Sequence, residues 1–264
     1  SASSPRRGVY RVRPCARAAW PAEMMWAGVG RSGSPRPSPI PSGRARSIPR
    51  RVAALLDGTL LSQYSMDEWN GTLRVATTVR DFSESQSSVY SDVYTFDASM
   101  RPLGSVGHLA PGESIFAVRF LEDKAYVVTF RKIDPLFVID LSNASAPTVT
   151  GFLEMPGFSQ YLYPLDAGHL IGVGKDALPA EGNWSWYQGL KLSLYDVTNG
   201  SHPREAANVS IGDRGTNSEV LWDAHAFLYV PQRQLVVLPV DLAIIHASQY
   251  PGGVPPHAWG HVVW

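Results

Sequence analysis

The chain has 264 residues, 44% of them hydrophobic, and no apolar run reaches the length of about 18 residues that a membrane helix needs. Its net charge of zero hides two opposed segments: residues 1–51 hold eleven of the 23 basic residues against one acid, Glu23 (+10), while residues 52–264 hold the other twelve against 22 acids (−10). An acidic body argues against a nucleic-acid partner, and the single cysteine, Cys15, lies outside that body, which excludes disulfides, thiolate metal sites and a cysteine nucleophile there.

Residues 1–51 are rich in Arg, Pro, Ser and Gly, and their eight prolines remove backbone donors and oppose regular helix or sheet. Three readings fit: a disordered tail, a basic arm for anionic surfaces, or a translation of GC-rich DNA in the wrong frame. None contributes to a fold, so the domain is expected over 52–264. The chain starts with Ser, and no charged start leads into an apolar stretch, so no signal peptide is visible.

From residue 52 the texture changes to short runs of Val, Tyr, Phe, Leu and Thr separated by Gly, Pro, Asp, Asn and Ser clusters, the pattern of many short strands. An early unit shows Gly71–Thr77, Val93–Asp97 and Leu103–Val106. The clearest unit runs from Ser114 to Met155. It reads as strands over Ile115–Phe120, Ala125–Phe130, Leu136–Asp140 and Thr148–Leu153, with turns at Glu122–Lys124 and Ser142–Pro147. The next repeats that order over Phe158–Leu165, His169–Val173, Leu190–Tyr195 and Arg204–Ile211. A later unit starts near Glu219–Trp222 and continues through Ala226–Tyr229 and Gln234–Leu238.

Four antiparallel strands in about 42 residues make one propeller blade. The expected fold is therefore an all-β propeller of four-stranded antiparallel blades, about two full and two partial, left unclosed at Trp264. Three third strands end in Asp97, Asp140 and Asp196. The spacings are 43 and 56 residues, and the extra thirteen are an insertion around Leu178–Tyr187. An Asp at a strand-to-turn junction caps its own turn by accepting backbone N–H groups, and this explains the recurrence better than three copies of one catalytic acid.

Five of the six asparagines in the body stand in Asn-X-Ser/Thr: Asn70, Asn143, Asn183, Asn199 and Asn208, with Asn217 the exception. That pattern is an acceptor for N-glycosylation in exported proteins. It points to a secreted or cell-surface glycoprotein, with Asn143 and Asn199 at matching places before the fourth strand.

Candidate sites are few. Gly172-Val-Gly-Lys-Asp-Ala177 matches a dinucleotide fingerprint in form, but Leu178-Pro179 follows where phosphate binding needs a helix N-terminus. Asp223 and His225 would share one strand face, with Glu219 as half of a metal site, or as an Asp–His bond holding strands. Trp184, Trp186 and Tyr187 crowd the insertion, where aromatic rings on an exposed loop could stack on a sugar or peptide, or cover the propeller's apolar end. No Gly-X-Ser-X-Gly elbow is present.

Met66–Thr77, Ala110–Ile115, Ala125–Leu141, Pro156–Ser159, Leu170–Asp176, Gly189–Asp196 and Ile211–Gly215 together resemble a family of secreted archaeal and bacterial proteins with a C-terminal β-propeller domain distantly related to WD40 repeats. The resemblance covers residues 60–264. It implies a propeller in a secreted or cell-surface setting and supplies no catalytic residues. The expected function is an extracellular binding or scaffolding module without a cofactor, its partner a protein or glycan of the cell envelope. The alternative is a hydrolase or metal-dependent enzyme whose site needs further blades.

Overall fold

The computed structural model describes residues 8–10, 53–81, 88–130, 134–179, 185–250, 252–255 and 257–262. A short strand β1 (Gly8–Tyr10) pairs antiparallel with β2 (Ala54–Leu56). Three four-stranded antiparallel meanders follow, each with its strands in sequence order. The first holds β3 (Met66–Trp69), β4 (Thr72–Asp81), β5 (Ser88–Phe96) and β6 (Pro102–Leu109). The second holds β7 (Ser114–Leu121), β8 (Lys124–Phe130), β9 (Asp134–Asp140) and β10 (Thr148–Met155). The third holds β11 (Phe158–Asp166), β12 (His169–Pro179), β13 (Ser185–Asp196) and β14 (Arg204–Ile211).

The first unit is fuller than its sequence pattern suggests. Met66–Trp69 adds a fourth strand, joined to β4 through Asn70 (φ 52°) and Gly71 (φ 78°). Two left-handed residues in succession are what a tight hairpin requires, and Asn-Gly supplies them at low steric cost. The strand escapes a periodicity reading because Asp67 and Glu68 break its apolar alternation.

The last unit departs the other way. Glu219–Leu221 and Ala224–Ala226 are 3₁₀ turns, not a strand. The side chains of Ser218 and Asp223 accept the N–H groups of Val220 and His225, which draws the backbone out of the extended form. Beyond them lie the hairpin β15 (Leu228–Val230)–β16 (Leu235–Val237) and the pair β17 (Ala243–Ile244)–β18 (His261–Val262).

Burial follows the blade order. The second meander is covered on both faces: Ala125, Val127 and Ile139 pack with Ala76 and Val93 of the first, while Tyr126, Val128 and Leu136 pack with Leu162, Leu170 and Tyr195 of the third. β8 is consequently apolar almost throughout, without alternation. Fourth strands lie outermost, and β14 has no buried residue. The far face of the third meander is closed by the C-terminal segment, where Val220, Leu221 and Phe227 cover Tyr161, Val173 and Leu190.

Polar contacts repeat between blades. The turn before β10 leans on the first blade, with Thr95 Oγ1 of β5 donating to Ala144 O at 2.5 Å; the turn before β14 leans on β10, with Thr150 Oγ1 donating to Gly200 O at 3.3 Å. Gly104 permits the first approach, since a Cβ there would lie 2.8 Å from Ala144 O. The buried Arg74 links the first two blades through Asp67, Glu122 O and the Phe120 ring, 5.1 Å from its guanidinium.

Candidate functional site

The three strand-ending acids are turn caps. Asp97 Oδ1 accepts from the backbone of Ser99 and Arg101, Asp140 Oδ1 from Ser142, and Asp196 Oδ1 from the backbone and hydroxyl of Thr198. Arg101 and Arg204 pair with the outer oxygens of Asp97 and Asp196. The Thr198 hydroxyl and N–H, then Arg204, hold the Asp196 carboxyl down at about 2, and the Arg101 N–H chiefly lowers that of Asp97.

Four of the Asn-X-Ser/Thr asparagines, Asn70, Asn143, Asn199 and Asn208, are exposed, whereas Asn217 is half-buried and bridges to Asp241. Asn143 and Asn199 occupy equivalent turns, each accepting at 3.1 Å from the N–H of the serine two residues on. That bond uses only Oδ1 and leaves each Nδ2 at the surface. Asn183 lies outside the described residues.

Asp223 and His225 do not share a strand face. They form one exposed turn, with His225 Nδ1 2.7 Å from Asp223 Oδ1, and they hold no strands together. The contact is local because Asp223 caps that turn, and the His225 N–H, then its ring, lowers the Asp223 carboxyl. Among the described residues no third His, Cys, Asp or Glu joins them in a metal-binding group. The glycines of the dinucleotide-like stretch lie inside β12. A Cβ at Gly172 would meet the Ser159 hydroxyl and the Tyr195 ring, so close packing accounts for that residue.

The insertion is not a free loop. It prolongs β12 and β13 into a hairpin in which Ala177 pairs with Tyr187 and Leu178 with Trp186, beyond a bulge after Lys175. Alternation then sends its two described aromatic residues to different surroundings. Tyr187 joins Phe130 and Phe158, with ring centroids 5.4 and 5.0 Å away, and so ties the hairpin to the second blade. Trp186 meets Arg214, whose guanidinium carbon lies 4.8 Å from its ring centroid, and His257 at 5.6 Å. Trp184 lies outside the described residues.

Arg214 is shared. Trp259, 64% exposed, contacts the same guanidinium at 4.6 Å. The chain is drawn in by Gly260 N–H donating to Arg214 O at 2.6 Å. Gly215, next to Arg214, has φ 113°, a left-handed conformation that favours glycine. Sequence reasoning found Trp186 but missed Arg214, His257 and Trp259. The Gly212-Asp-Arg-Gly215 turn offered the only local signal, an arginine held between glycines.

Arg214 donates from Nη1 to Tyr187 O at a long 3.3 Å, and its Nε is buried without an acceptor. Among the described residues, Asp213 accepts from the Ile245 N–H, and Asp176 from the Ala177 N–H and the Ser210 hydroxyl. The arrangement is a cation braced by two indoles, with no carboxylate paired to it among the described residues.

Four-stranded meanders packed face to face, with aromatic residues at one blade end, define a propeller module. The chain belongs to the beta propeller domain family, whose model matches residues 46–255. It is 38% identical over 189 residues to an uncharacterized protein of Methanocaldococcus jannaschii, a match covering 70% of this chain and 28% of that protein. It is 41% identical over 182 residues to an uncharacterized protein of Archaeoglobus fulgidus, covering 69% of this chain and 26% of that one. The chain thus spans about a quarter of the length of these relatives. No solved structure matches it.

Proposed function

We propose that this chain is a binding module of a secreted or cell-surface protein, and that the Trp186 end of the β12–β13 hairpin, with Arg214 and Trp259, is its contact surface for a protein or glycan of the cell envelope. One observation carries the reading: Trp186 and the exposed Trp259 flank a guanidinium that lacks a carboxylate partner among the described residues. Large aromatic faces beside a cation are the composition of binding hot spots rather than of ordinary surface. The exterior setting draws support from the exposure of Asn70, Asn143, Asn199 and Asn208. An enzyme completed by further blades would draw on Asp223 and His225, whose contact is already explained by turn capping.

The test is capture from an envelope extract by the immobilised chain, compared with a chain carrying Trp184→Ala and Trp186→Ala. Loss of retained components with an unchanged melting curve is the expected result. Recovery of every component by both chains would overturn the hairpin as the contact surface. Glycosylation is checked separately: Asn143→Gln and Asn199→Gln should each remove one glycan mass from protein made in a glycosylating host.

A further inference from the structure

We propose that the Trp186–Arg214–Trp259 cluster recognises a carboxylate-bearing sugar, such as a uronic acid unit of an acidic polysaccharide. This rests on the binding-module reading and names the ligand class.

The Arg214 guanidinium sets the ligand class. Two indoles contact it, at 4.8 and 4.6 Å. Its one described hydrogen bond is the long contact from Nη1 to Tyr187 O, and Nε is buried, so the donors left to a ligand are the terminal Nη groups. The two Nη groups form an edge that matches a carboxylate in a two-point geometry that an ammonium cannot reproduce. Neither Asp176 nor Asp213 forms an ion pair with Arg214 among the described residues. His257 adds a further ring beside Trp186.

The indoles supply the second element. Trp259 keeps most of its surface in solvent despite its contact with Arg214. The C–H bonds of a pyranose ring carry partial positive charge and suit the electron-rich face of an indole. A sugar acid satisfies ring face and guanidinium edge together. An acidic peptide offers the carboxylate without a flat C–H face, and a neutral sugar offers only the face.

Calorimetric titration of the full chain with trigalacturonate, a neutral galactose trisaccharide and triglutamate tests this. Trigalacturonate should bind about tenfold or more tighter than either comparison compound, one decade being the loss expected on removing a single hot-spot contact. Arg214→Lys and Trp259→Ala should each lower that affinity by a similar factor. Should Arg214→Lys alter the melting curve, Trp259→Ala decides, since its side chain is exposed. Equal binding of the neutral trisaccharide, equal binding of triglutamate, or no binding of trigalacturonate would each overturn the proposal. If acidic sugars fail while the hairpin variant still loses envelope capture, the ligand class falls and the binding module stands; if both fail, the hairpin falls as well.

Discussion

β8 in the middle blade and the tip of the β12–β13 hairpin are both rich in large apolar side chains, yet their surroundings differ. Tyr126, Val127 and Val128 are covered from both sides by neighbouring blades and are at most 1% exposed. At the hairpin tip, Tyr187 is drawn into an aromatic cluster, whereas Trp186 faces Arg214 and the exposed Trp259. Apolar residues between blades serve cohesion. Apolar residues that extend past the blade edge and surround a cation have no comparable role in closing the core. The difference teaches that aromatic content alone does not mark a site; it is marked where aromatic residues meet a polar group left short of partners.

Substitutions in the two regions should therefore separate stability from binding. The largest loss is expected at the core: Leu136→Ala, at a fully buried position between the second and third blades, should cost about 2–5 kcal/mol in urea unfolding. A loss well below that range would mean the blades are looser than their burial implies. Next comes the blade junction. Gly104→Ala forces a methyl group against the Ala144–Ser145 backbone and should cost about 1–3 kcal/mol. Gly252→Ala, where a Cβ meets nothing within 4 Å, serves as its control and should be close to neutral.

Trp259→Ala should lower stability by no more than about 1 kcal/mol, the scale of an exposed cation–π contact, while changing ligand binding. A loss as large as that at Leu136 would show the cluster to be part of the core. Asp196 should give the smallest effect, and a pH-dependent one. Its folded carboxyl sits at about 2 against an ordinary 3.8, so its contribution is full above the ordinary value and fades as pH falls through the folded one. The melting-temperature gap between the wild type and Asp196→Asn should be steady near neutrality and close in acid. A gap unchanged in acid would remove the cap from the account.

Much of the fold was legible because its information is local. Strand alternation, turn residues and the Asp97–Asp140–Asp196 recurrence are read from neighbours in the chain, and the meanders follow them. Met66–Trp69 escaped because its polar middle hides the alternation, and Glu219–Leu221 because its apolar character outweighs the capping by Ser218 in a pattern reading. The hairpin tip was half legible. Its crowd of aromatic residues is visible in sequence, but which of them turns inward depends on the register after the bulge at Lys175.

Sequence by itself determined the repeat: four-strand units, turns closed by their own aspartates, asparagines placed in turns. Each depends on contacts spanning a few residues. Only the tertiary structure decided that Arg214 contacts both Trp186 and Trp259, that Gly104 leaves room for the turn before β10, and that Asp223 and His225 serve one turn. Those outcomes depend on packing between distant parts of the chain, which no local pattern encodes.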